Sequence, residues 1–311
     1  MKWQGRERSS NIEDRRGGGG LGGFGRGGGL GGGLNPFGQG GGGGFRIPTS
    51  RTGRGGIGIG GIIVIGIACL IFGINPLDMI SGGGTYTGSP TTSQSRQIPA
   101  EGQDEMADFV GVVVKETENV WGQQFQAAGQ TYTPPKVVLF SNQVQSGCGV
   151  AEASSGPFYC PNDQKVYIDL SFYDQLRRQF GAPGDFAQAY VLAHEVGHHI
   201  QNLTGVLPEF NRRRQSMSQE QQNAYSVRVE LQADCYAGVW ANFANREALL
   251  DQGDAQEAIT AANAIGDDTL TRGQVTSRNF THGTSEQRMR WLRRGMESGN
   301  PDNCDTFSGN I

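Results

Sequence analysis

The chain has 311 residues, 51 of them glycine, and a net charge of −4. The charge is unevenly divided: residues 1–54 carry nine Lys or Arg against three acidic side chains, whereas residues 101–311 carry 16 basic against 26 acidic groups, a net charge of −10. Residues 101–311 amount to one domain's length of chain, and their negative charge argues against anchoring to acidic surfaces.

The first 56 residues hold 23 glycines, in runs such as Gly17 to Gly20 and Gly41 to Gly44. Such a stretch has too little apolar surface to bury a core, so residues 1–54 are expected to form a disordered Gly/Arg-rich head whose positive charge suits anionic lipid. The Gly25-Arg26-Gly27-Gly28 and Gly53-Arg54-Gly55-Gly56 pieces lack flanking aromatic residues, and no nucleic-acid partner is expected. Residues 55–77 contain no charged side chain and include Ile62-Ile63-Val64-Ile65 and Leu70-Ile71-Phe72. About 20 apolar residues cross a bilayer core, so this run is expected to be a transmembrane helix, too far from the N-terminus for a cleaved signal peptide. Arg46, Arg51 and Arg54 precede it and the first charge after it is Asp78. The positive-inside rule then gives a single-pass protein of the inner (cytoplasmic) membrane with residues 1–54 inside and the remainder periplasmic or extracellular. Residues 78–100, rich in Gly, Ser, Thr and Gln, read as a flexible linker.

The domain at 101–311 opens with an amphipathic helix through Met106, Phe109, Val110, Val113, Val120, Trp121 and Phe125. Short β-like runs follow at Val137 to Phe140, Phe158 to Cys160 and Lys165 to Ile168. A further helix near Asp254 to Ile265 and a last one through Met289, Trp291, Leu292 and Met296 give an α+β fold. Between them, Asp185 with Gln188 resembles a capping box and Thr204-Gly205 a helix stop. That helix carries His194-Glu195-Val196-Gly197-His198-His199, three of the chain's four histidines. His194 and His198 lie one turn apart on one face, which suits a divalent metal such as Zn²⁺, and Glu195 stands beside the open coordination position as a candidate general base.

A catalytic zinc site needs a third protein ligand. The longer pattern H-E-x-x-H-x-x-G-x-x-H is excluded, because its last two places hold Gln201 and Thr204. A second helix, capped by Ser218-x-x-Gln221, offers Glu230 as the third ligand. Asp234, one turn on, is placed to accept the remaining N–H of a ligating histidine. The competing reading is a solvated acidic face paired with Arg228. Of the cysteines, Cys69 lies in the apolar run and Cys148, Cys160, Cys235 and Cys304 lie beyond it. Proximity favours Cys148–Cys160, leaving Cys235–Cys304; none has the close C-x-x-C spacing of a zinc site.

The two motifs, H-E-x-x-H and Glu230-Leu231-Gln232-Ala233-Asp234, resemble those of gluzincin metallopeptidases. With the flanking residues to Gln201 and Gly238 the chain is similar to the bacterial neutral zinc metallopeptidase family. The resemblance implies a zincin-like catalytic domain, with Zn²⁺ held by His194, His198 and Glu230, Glu195 as base and Asp234 supporting a ligand. Thr281-His282-Gly283-Thr284-Ser285-Glu286-Gln287-Arg288 resembles the T-H-P-x-x-x-x-R stretch of related enzymes, with Gly283 in place of proline. It implies a catalytic or oxyanion-positioning role for His282 and a geometry-locking one for Arg288; otherwise His282 is a cap or surface residue. The function expected is hydrolysis of a peptide or protein substrate, its backbone paired along an edge strand, for which Val166 to Ile168 is preferred. The alternative is a membrane-tethered binding or scaffold protein with a structural or inactive zinc site.

Overall fold

A computed structural model describes residues 1–16 and 104–311. The head beyond Arg16, the expected span at 55–77 and the expected linker lie outside the described residues. Among the described residues no helix is long and apolar enough to cross a membrane.

Four strands form the main sheet, β1 (Ile12–Asp14), β2 (Lys136–Phe140), β5 (Phe158–Cys160) and β6 (Lys165–Asp169), in the order β1-β2-β6-β5. Strands β1, β2 and β6 run parallel, with Val137 opposite Ile12 on one side and Val166 on the other, and β5 returns antiparallel on β6. Between β2 and β5 stands a hairpin of β3 (Gln143–Ser146) and β4 (Gly149–Glu152). The near-continuous burial of β2 and β6 follows from their uninterrupted apolar runs in the middle of the sheet.

The position of β1 corrects the expectation that residues 1–54 are uniformly disordered, since residues 1–16 belong to the domain. Asn11 accepts from the Val137 amide (2.8 Å), Ser9 donates its amide to Gly111 (2.9 Å) and Arg15 donates to Leu139 (2.8 Å). Trp3 packs edge-on against Phe109. The backbone pairing makes up for the low apolar content that composition registers. Arg16 pairs with Asp104, so the two described stretches meet at one place.

The helices are α1 (Glu105–Ala127), α2 (Ser171–Gln179), α3 (Asp185–Leu203), α4 (Val206–Arg213), α5 (Gln219–Arg246), α6 (Asp254–Ala264), the single turn α7 (Asp267–Leu270) and α8 (Ser285–Ser298). Asp104 caps α1 through the Ala107 amide. Capping boxes start α5 with Ser218 and Gln221 and α8 with Thr284 and Gln287. Helix α3 departs from expectation: Gly184 is its N-cap and Asp185 its first residue, the Asp185 carboxylate being turned to the Met1 amine at 3.0 Å. The core lies around α3, which is buried on all sides and crosses α5 closely at Gly197. A Cβ on Gly197 would stand 3.0 Å from the Ala233 carbonyl oxygen, so glycine sets how near the two motif helices approach.

Candidate metal centre

Helix α3 supplies His194, Glu195 and His198, and α5 supplies Glu230 and Asp234; all five side chains are buried. The structure brings ligand atoms of His194, His198 and Glu230 within 4.8 Å of one another. His194 Nε2 is 3.2 Å from Glu230 Oε2 and His198 Nε2 is 3.5 Å from Glu230 Oε1. Among the described residues, His198 Nε2, Glu230 Oε1 and Glu195 Oε2 are buried polar atoms with no hydrogen-bond partner. Orphaned buried groups cost about 1–3 kcal/mol each, and a cation between them removes that cost. The donor set of two imidazoles and one carboxylate therefore fits a zinc ion. A second carboxylate group, Asp185, Asp254 and Glu257, lacks an imidazole, and the Met1 amine lies 3.0 Å from Asp185 and 3.3 Å from Asp254.

The solvated-face reading of Glu230 and Asp234 does not hold. Asp234 Oδ1 accepts from His194 Nδ1 (2.8 Å), the Tyr190 hydroxyl (2.6 Å) and Arg288 Nη2 (2.9 Å), while Oδ2 accepts from Arg288 Nε (2.9 Å). Arg228 instead donates to the Thr306 and Gly309 carbonyls. The proton on His194 Nδ1 is thereby held towards Asp234 and Nε2 turned to Glu230. Burial pulls His194 down, but Asp234 and Glu230 outweigh it and lift its pKa to about 9. Burial also works against an ionised Glu230, yet the neighbouring imidazoles hold its carboxyl well below the usual range. His198, with burial dominant, falls to about 4. Burial, aided by Glu230, raises Glu195 to about 8.

His282 is buried beside this cluster and is not a surface cap. Asp267 organises it: Oδ2 accepts the amides of Thr281 (2.7 Å), His282 (2.7 Å) and Gly283 (3.1 Å), and Oδ1 lies 3.2 Å from His282 Nδ1. Gly283 has φ +91°, a conformation closed to proline, which accounts for the departure from the T-H-P pattern. His199, the remaining motif histidine, takes no part in the cluster. It donates Nε2–H to the Thr133 carbonyl (2.7 Å) and accepts from the Tyr159 hydroxyl (3.0 Å), so it holds β5 to α3.

A cleft opens on the cluster, with Phe172, Phe180, Val191 and Leu270 as its apolar wall and Glu195, Glu230 and His282 at its polar end. The edge strand by this side of the sheet is β5. The preference for Val166 to Ile168 is corrected, because β6 is hydrogen-bonded on both sides by β2 and β5. A backbone hydrogen bond from Tyr159 of β5 reaches the Glu195 carboxylate. Sequence reasoning missed Asp267 and Tyr190, and it considered Gln201 only as a failed ligand position. The signal for Gln201 was present, since it lies one turn after His198 on the same helix.

The profile of the family described as "Putative neutral zinc metallopeptidase" matches residues 1–307. The chain belongs to this family. It is 44% identical to the uncharacterized protein YpfJ of Escherichia coli (strain K12) over 318 residues, which covers 100% of both chains. It is also 45% identical over 192 residues to the uncharacterized protein Rv2575 of Mycobacterium tuberculosis (strain ATCC 25618 / H37Rv), covering 57% of this chain and 64% of that protein. No solved structure matches. The match to the neutral zinc metallopeptidases starts at residue 1, so it includes the strand β1 that the fold incorporates.

Proposed function

We propose that this family member is a zinc-dependent peptidase in which His194, His198 and Glu230 hold the ion and Glu195 is the general base. The observation that carries the reading is the convergence of buried, unpartnered ligand atoms on one point beside an equally unpartnered carboxylate oxygen. A zinc ion held by these three residues would supply Lewis acidity and make a neighbouring water easier to deprotonate near neutral pH. Glu195, whose Oε2 is buried without a partner beside the ligand atoms, is placed to take a proton from the attacking water and return it to the leaving amine. Asp234 and Arg288 hold His194 in place. His282, fixed by Asp267, stands at the polar end of the cleft, where it is suited to donate a hydrogen bond to the developing oxyanion.

Two disulfides, Cys148–Cys160 and Cys235–Cys304, favour an oxidising compartment for the folded part, periplasmic or extracellular. Strand pairing between β1 and β2 cannot be made across a membrane, so residues 1–16 go with the domain, and the expected single crossing with residues 1–54 inside and the remainder outside is not kept in this proposal.

The test is hydrolysis of a peptide library by the zinc-loaded protein and by Glu195→Gln, read by mass spectrometry. The proposal expects cleavage by the parent, loss on chelation, and zinc retained with cleavage reduced at least about 1,000-fold in the variant, the scale of a lost general base and its water alignment. Zinc at one per chain with no peptide cleaved would instead favour a binding or scaffold role.

A further inference from the structure

We infer that Gln201 is a positioning residue for the metal ligand His198, and that Gln232 and the disulfide-held Cys304 carbonyl set its orientation. This inference rests on the assignment of His198 as a ligand and is independent of peptide hydrolysis. His198 Nδ1 lies 2.8 Å from Gln201 Oε1. The Gln201 amide nitrogen donates to the Val229 carbonyl at 2.7 Å and to Gln232 Oε1 at 3.0 Å. Gln232 in turn donates its amide nitrogen to the Cys304 carbonyl at 3.0 Å.

The direction of this chain is fixed from its far end. A carbonyl oxygen only accepts, so Cys304 requires the nitrogen of Gln232 to face it, which turns the Gln232 oxygen towards Gln201. The Gln201 nitrogen then has two acceptors before it, and its oxygen is left for His198. Rotating the Gln201 amide by half a turn would set its oxygen against the Val229 and Gln232 oxygens and lose both bonds. With an acceptor fixed at Nδ1, His198 carries its proton there and keeps its lone pair on Nε2, the buried atom without a partner that faces Glu230. Gln201 and Cys304 are fully buried and Gln232 nearly so.

The two ligating histidines are therefore held by different means. His194 has a carboxylate that is itself clamped by Arg288; His198 has a neutral amide at the end of a relay of amides. A neutral acceptor fixes the tautomer without adding another buried negative charge next to Glu195 and Glu230. Cys304 is tied to Cys235 on α5, one turn from Gln232, so the disulfide keeps the last acceptor of the relay in place.

The experiment uses the full chain with ¹⁵N-labelled histidine. Zinc affinity is measured by competition with a chromophoric chelator, and the His198 tautomer is read by NMR on the metal-free protein. Gln201→Met is expected to weaken zinc about 10-fold to 100-fold, and to move His198 from the single Nδ1–H form to a mixture. Gln232→Met and Cys304→Ser are expected to produce smaller losses in the same order along the relay. If Gln201→Met does not fold, the latter two variants decide. Parent affinity and an unchanged His198 tautomer in the folded variants overturn the inference. So does a loss of affinity matched by an equal loss of unfolding free energy with the tautomer unmoved. Failure of the peptidase reading shows elsewhere, as absent cleavage with zinc affinity and tautomer behaving as stated.

Discussion

At the scale of single residues the decisive side chain is Asp234, whose two oxygens gather His194, Tyr190 and Arg288 in a fully buried place. Removing its charge strands the Arg288 guanidinium, and breaking a buried pair in this way costs about 3–5 kcal/mol. Asp234→Asn is accordingly expected to lower the denaturation midpoint of the chelated protein sharply, with zinc affinity reduced about 10-fold to 100-fold. The titrating groups give a second prediction. His194 is raised from 6.5 to about 9, so its stabilising contribution is complete below pH 6.5 and is lost as pH rises through about 9. Glu195, raised from 4.5 to about 8, acts in the same sense, because the fold favours its neutral form. The metal-free protein should lose stability between about pH 6.5 and 9. Zinc, which displaces the His194 proton, should bind more tightly over that interval. Urea midpoints at the two ends of that range check the first statement, and a flat or rising profile contradicts it. Glu230 and Asp234 were legible in the sequence because four-residue spacing places them on one helical face. Asp267 was not, because its partners sit 14 to 16 residues away in a loop whose path no periodicity reveals.

The elements meet through glycine. Gly238 on α5 and Gly295 on α8 face each other's backbone, and a Cβ on Gly238 would stand 2.2 Å from the Leu292 carbonyl oxygen. This close crossing carries Arg288 of α8 to Asp234 of α5. Gly238→Ala must force the helices apart, and overpacking of this kind costs about 1–3 kcal/mol. A lowered thermal midpoint together with weaker zinc binding is expected; a variant matching the parent in both would mean that the crossing does not govern the site. The capped helices α5 and α8 were readable from local chemistry, since their capping boxes are complete within four residues. Strand β1 was not, because three residues after a polar stretch show no alternation, and its conformation comes from the backbone of β2. For the same reason the order of strands, and with it the identity of β5 as the edge, had to come from the structure.

On the scale of the whole molecule, residues 1–16 and 104–311 form one fold, closed where Arg16 meets Asp104. Both parts must lie on the same side of any membrane the chain is attached to. Single cysteines at the exposed positions Ser10 and Ser308, treated on intact cells with a membrane-impermeant maleimide, are expected to label alike; reaction of one without the other contradicts the shared sheet. The chemistry of the site turns on which atoms bind the ion. Zinc-edge anomalous diffraction from crystals of the zinc-loaded protein tests it most directly. The expected result is one ion bonded by His194 Nε2, His198 Nε2 and a Glu230 oxygen at about 2.0–2.2 Å, with Glu195 free of the metal. An ion held instead by Asp185, Asp254 and Glu257, or one that binds Glu195 in place of Glu230, would contradict it.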